Sequence, residues 1–150
     1  AVLYARIGNY QKSQQVLQQL KNAPDFYASA QDGIVRAYIK NGKLADAEKL
    51  AQTIARPQAK LFALTEVAIA YRNNSSKSNQ LFRQALTIAR SQSDVSLRDL
   101  SLQTLISAHL QVGQLEQALQ LTRSLKFPHP PTLRLVIEAY HKAGKSAQAR

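Results

Sequence analysis

The 150-residue chain has no cysteine, methionine or tryptophan, only nine acidic residues, and five each of glycine and proline. Without cysteine there can be no disulfide, thiolate metal site or cysteine nucleophile, and the composition is compatible with a reducing compartment such as the cytoplasm. No apolar run approaches 18 residues, the longest being of the kind Val67-Ala68-Ile69-Ala70-Tyr71, so no transmembrane segment is expected. No Asn-Gly or Asp-Gly pair stands between alternating runs; Asp32-Gly33 lies among residues of helical period and reads as a glycine within a helix.

The motifs of chemistry are missing too. There is no glycine-rich phosphate loop, no Gly-x-Ser-x-Gly, no pair of histidines at i, i+4 and no adjacent carboxylate pair, so we expect no catalysis, metal, cofactor or small-molecule substrate. His129 lies in a proline-rich connector, and His141 has no carboxylate at metal-ligand spacing. The scarcity of acid has the opposite sense: 20 Lys and Arg against nine Asp and Glu give +11, an envelope that suits acidic proteins, nucleic acid or anionic lipid, the plainer and favoured reading being a surface that is merely rich in base. Position 1 is not Met and Arg150 stands inside an apparent helix, so both ends are expected to be cuts in a longer polypeptide, with fraying end units and no leader to be read.

What is present is a repeat. An aromatic or imidazole residue is followed four positions later by glycine or serine at Tyr4/Gly8, Tyr38/Gly42, Tyr71/Ser75, His109/Gly113 and Tyr140/Gly144, with rings 34, 33, 38 and 31 residues apart. That is the period of a helix-turn-helix unit in a solenoid, which must bury its apolar face against its neighbours. The pattern predicts helices over 1–7, 11–21, 26–40, 44–55, 58–72, 77–90, 95–111, 115–125, 131–142 and 146–150, all in a single helical-repeat domain over 1–150. Ile34, Val35, Tyr38 and Ile39 precede one hinge, and Leu44, Ala47, Leu50, Ala51 and Ile54 follow it at helical spacing.

Asp25, Ser93 or Asp94, and Thr132 are candidate helix caps, while Gly42, Gly113 and Gly144 suit positive φ at helix ends. The irregular periods are expected to fall in the connections Ser91-Gln92-Ser93-Asp94 and 126–131. A tighter turn is expected at Asn73-Asn74-Ser75-Ser76, followed by the stripe Ser78, Phe82, Ala85, Ile88. His109 stands where the other units have Tyr, which makes it a core or boundary residue, and Phe26, Phe62, Phe82 and Phe127 fall on or near apolar stripes.

The units resemble the tetratricopeptide repeat, which places a large residue, Leu and Gly seven, four and three positions before a Tyr, then Gly four after and Ala nine after. Tyr38 is preceded by Gln31, Ile34 and Val35 and followed by Gly42 and Ala47; His109 by Leu102, Leu105 and Ile106, then Gly113 and Ala118; Tyr140 by Leu133, Val136 and Ile137, then Gly144 and Ala149. The family's small glycine is replaced by Val35, Ala68, Ile106 and Ile137, and Pro57 and Pro128 arrive two residues early, so the likeness is to a divergent array. Ile54-Ala55-Arg56-Pro57 and residues 63–71 also resemble degenerate arrays of large bacterial scaffolds, cyanobacterial ones among them. Residues 37–44 and 137–145 resemble pentatricopeptide repeats, whose base-reading position, six before the Tyr, holds Asp32, Thr65, Gln103 and Arg134 here; only Thr65 conforms.

The tetratricopeptide resemblance implies an all-α, right-handed solenoid of about five repeats, the terminal ones truncated. Its concave groove would be formed by the first helix of each repeat, at positions six and two before the Tyr and one and two after. These are Asp32, Arg36, Ile39, Lys40; Thr65, Ile69, Arg72, Asn73; Gln103, Ser107, Leu110, Gln111; and Arg134, Glu138, His141, Lys142. Such a ladder implies a protein-interaction scaffold for a peptide, helix or partner subunit, with acidic groups facing Arg36, Lys40 and Arg72. The alternative reading of Lys40 and Arg72, together with Arg6 and Lys142, is that they complement helix carboxyl ends. The other functions left open are a single-stranded RNA-binding module acting through Lys and Arg, and a spacer or self-assembly element.

Overall fold

The computed structural model describes residues 1–144, and the expected helix over 146–150 lies outside them. Among the described residues there are nine helices and no strand: α1 (Val2–Arg6), α2 (Tyr10–Gln19), α3 (Pro24–Lys40), α4 (Leu44–Gln52), α5 (Pro57–Ala70), α6 (Ser75–Arg90), α7 (Val95–Gln111), α8 (Leu115–Arg123) and α9 (Pro130–Lys142). Each odd-numbered helix packs on the next odd one, α1 on α3 through to α7 on α9, while each even helix lies against its odd neighbours. The first helices of the hairpins therefore form one continuous layer and the second helices form another, the architecture of an α-solenoid.

Local chemistry sets the helix ends. Gly8, Gly42, Gly113 and Gly144 take φ of 80°, 71°, 78° and 71°, a conformation that side-chain-bearing residues rarely adopt. The turn lets Lys43 N–H return to the Tyr38 carbonyl at 2.8 Å and Gln114 N–H to the His109 carbonyl at 2.8 Å. Prolines 24, 57 and 130 open α3, α5 and α9, where a missing N–H costs nothing. Asp94 caps α7, its Oδ1 accepting from Leu97 N–H at 2.8 Å. The other two expected caps are corrected: Asp25 lies inside the first turn of α3 and Thr132 inside α9. Asn9 and Asn74 cap α2 and α6 instead.

The period irregularities are also corrected in part, because they reside chiefly in helix lengths. The link 91–94 has four residues, like 20–23 and 53–56, whereas α6 has 16 residues against nine in α4 and α8. The long period is thus a longer second helix. The short period comes from α9, which begins ten residues before its ring where α3, α5 and α7 begin 14 before theirs, offset in part by a six-residue connector, 124–129, against four in the others; Pro128 stands in that connector and Pro130 and Pro131 open the helix. At the third hinge α5 ends before Tyr71, and residues 71–74 make a connection one residue longer than the three-residue glycine hinges, with no positive φ among them. The turn is therefore not tighter; the helix breaks earlier.

The core runs along the interface of the two layers, with Ile34, Val35, Leu61, Leu64, Val67, Leu81, Leu105 and Ile106 fully buried, each contributing about 1.5–3 kcal/mol. The stripe of α6 is Ser78, Leu81, Phe82, Ala85 and Ala89, with Ile88 only half-buried. The small residues bring α6 close to α5, where Ser78 Oγ donates to the Ala68 carbonyl at 2.8 Å. Tyr38, His109 and Tyr140 are buried and Tyr4 and Tyr71 half-buried, so the hinge rings pack as expected. Phe26 and Phe127 depart from expectation, at 73% and 60% exposed.

Candidate binding groove

The first helices leave a hollow of about 630 Å³ between α3, α5 and α7. Seven of the positions expected from the sequence line it: Arg36, Ile39, Lys40, Thr65, Ile69, Ser107 and Gln111. Arg72 and Asn73 line an adjoining hollow with Ile39 and Ile69, and Glu138, Leu110 and Lys142 line another between α7 and α9. Asp32, Gln103, Arg134 and His141 fall outside all three linings.

Four further residues complete the main hollow: Phe62, Glu66, Thr104 and Ala108. Phe62 is nine before its ring, Glu66 and Thr104 are five before theirs. The wall thus follows positions nine, five and two before the ring and two after it, steps of four, three and four that run straight along a helix. The signal was in the sequence, since Leu135 also stands five before its ring and lines the α7–α9 hollow.

The floor is apolar, from Ile39, Phe62 and Ile69, and Thr65 is buried there with Oγ1 donating to the Leu61 carbonyl at 2.8 Å. One wall is ionic. The Arg36 guanidinium spans α3 to α5, with Nε donating to Glu66 Oε2 at 3.2 Å and Nη2 3.1 Å from Oε1, and lies 3.4 Å from Asp32 Oδ2. Burial pushes the Glu66 carboxyl above its usual range, assisted by Asp32 and opposed by Arg36. Lys40 and Arg72 stand exposed at the hinge edge, without an ion-pair partner among the described residues. Arg134 instead donates to Glu138 Oε1 at 2.7 Å within α9. The groove therefore offers an apolar floor with cationic groups along its hinge edge.

No protein-family model matches the chain, and no curated protein matches it. Among solved structures it is similar to a protein of Podosopora anserina assigned as a kinesin light chain and described as having nearly identical TPR-like repeats. The two share 21% identity over 97% of this chain and 84% of that one, with a TM-score of 0.56. At that identity the likeness is one of fold: the chain forms a tetratricopeptide-like α-solenoid.

Proposed function

We propose that the protein is an interaction scaffold that holds a peptide or helix of a partner protein in the groove of α3, α5 and α7. The observation that carries this reading is the roughly 630 Å³ hollow whose apolar floor adjoins Arg36 and Lys40. Its dimensions fall in the usual range of binding pockets, and it is built from consecutive repeats, as an interaction ladder requires. The matching partner is a segment that places an apolar side chain over Phe62 and Ile69 and carboxylates toward Lys40 and Arg72. Exposed ion pairs contribute only about 0–1 kcal/mol each, so the apolar contact would supply most of the affinity.

Peptides selected from a random display library on the wild-type protein should be rich in Asp and Glu around an apolar anchor. They should bind Ile69→Asp at least about tenfold more weakly, a loss of about 1.4 kcal/mol. The reading fails if the selected peptides bind Ile69→Asp and Lys40→Glu as tightly as the wild type.

The net charge of +11 and the exposed rings of Phe26 and Phe127 support a second reading, single-stranded nucleic acid held by phosphate contacts and stacking. Fluorescence anisotropy of a labelled single-stranded RNA at about 50 mM salt decides it: absence of binding there excludes this reading.

A further inference from the structure

The solenoid has a second series of clefts, on the side away from the groove, between successive second helices. The three within the described residues differ. In the α2–α4 cleft the floor is Tyr38, whose hydroxyl accepts from Gln14 Nε2 at 3.1 Å, and Asp46 stands beside Lys49 on the wall. Between α4 and α6, Gln52 Nε2 donates to Gln84 Oε1 at 2.6 Å and Lys77 Nζ to Glu48 Oε1 at 2.9 Å, tying the helices together. Between α6 and α8 there is a cavity of about 290 Å³ with His109 in its lining.

Sequence changes at matching positions give that third cleft its character. Asp46 and Lys49, third and sixth in α4, become Gln117 and Gln120 in α8, so no carboxylate lines it. Imidazole replaces the longer phenol of the other hinges, and its ring lies against Phe82 with centroids 4.3 Å apart. Arg83 and Arg90, two turns apart on α6, stand in the lining exposed and without an ion-pair partner among the described residues. Phe82 and Leu86 supply an apolar wall.

The contact with Gln114 favours one tautomer of His109. Gln114 Nε2 donates to Asn79 Oδ1 at 2.7 Å, so Gln114 Oε1, 2.6 Å from His109 Nδ1, accepts from the Nδ1–H. The imidazole is 7% exposed and lines the cavity, and in this tautomer Nε2 is its acceptor. A ligand that fits must bring an anion to the arginines, a flat apolar body to Phe82, and a hydroxyl donor to Nε2.

We propose that the α6–α8 cleft is a binding site for a small hydroxylated aromatic carboxylate, independent of the groove on the opposite side. The carboxylate sits between Arg83 and Arg90, since guanidinium groups pair well with carboxylates. The hydroxyl donates to His109 Nε2, and the ring packs on Phe82 and Leu86.

The probe is 6-hydroxy-2-naphthoate, titrated into the protein by calorimetry beside 2-naphthoate, which lacks the hydroxyl, and 2-naphthol, which lacks the carboxylate. The expected dissociation constant is on the order of 0.1 mM, with each truncated probe at least about tenfold weaker. The double variant Arg83→Ala/Arg90→Ala alters two exposed side chains and should weaken the probe at least about tenfold. His109→Tyr, which restores the residue of the other hinges, should abolish binding while the thermal transition is retained. Arg36→Ala, in the groove, should leave binding unchanged. Absence of saturable binding, equal affinity for 2-naphthol, or a loss in Arg36→Ala matching that of the double variant would each overturn the proposal.

Discussion

Gly33 lies in the middle of α3, and a β-carbon built there would meet the Val2 side chain of α1 at 2.6 Å from Cγ2 and 3.0 Å from Cγ1. Carbon atoms pack at about 3.5–4.0 Å, so Gly33→Ala must push Val2 back by about 1 Å. Against that stands the helical preference for alanine, about 0.8–1 kcal/mol in a helix interior. The two effects act on different elements. Helix α1 has five residues and buries only Ala5, whereas α3 has 17 residues with six buried, so α1 yields. In Gly33→Ala, amides of residues 5–7 should exchange at least about tenfold faster while the midpoint of the main thermal transition moves by only a few degrees. Val2→Ala removes both clashing carbons, so the double variant should be more stable than the sum of the singles by about 1 kcal/mol or more, measured by denaturant titration of all four proteins. Additivity within about 0.5 kcal/mol, or exchange at residues 5–7 that does not change, would refute the close approach of α1 to α3.

Three other perturbations test separate parts of the fold. Asp99 is buried and its Oδ2 accepts from Phe127 N–H at 2.7 Å, fixing the α8–α9 connector; Asp99→Ala should cost about 1–3 kcal/mol in urea unfolding, and Asp99→Asn, which keeps an acceptor oxygen, should recover most of it. Gly113→Ala meets no atom within 4 Å but must hold a φ of 78°, so a loss of about 1–2 kcal/mol, purely conformational, is expected from the same measurement. Burial lowers the His109 pKa from 6.5, opposed by its hydrogen bond to Gln114. The unfolded chain therefore takes up a proton here at higher pH than the folded one, so this contribution to stability is full above 6.5 and is lost as pH falls through 6.5 toward the lower folded pKa. With Arg83 and Arg90 also lining its cavity, His109→Tyr should flatten the fall in thermal midpoint between pH 7 and 5.5.

The hinges were legible because a ring followed by glycine carries both packing and backbone information. Gly42 and Gly113 sit at positive φ where the pattern puts them, and Tyr38 and His109 are buried beside them. The groove was legible in part. Counting back by four from Arg36, Ser107 and Glu138 leads to Asp32, Gln103 and Arg134, which lie off the lining. A strict step of four drifts about 40° round a helix, and the straight row passes instead through Glu66, Thr104 and Leu135. Asn9 and Asn74 escaped notice as caps because asparagine in a turn serves several ends. The exposure of Phe26 and Phe127 is set by their places at the first turn of α3 and in a connector, where apolar character alone gives no direction.

The length of α6 affects how the chain finds its alignment. A stack of similar hairpins can in principle dock one unit out of step, since each interface resembles the next and the error is small locally. At 1.5 Å per residue, the 16 residues of α6 reach about 10 Å farther than the nine of α4 or α8. No other described second helix fills the surface of α5 along that length, so a shifted stack would leave part of the stripe from Leu81 to Ala89 facing water. The odd hairpin thereby acts as a key, giving a nearly periodic chain one unambiguous way to count its own repeats.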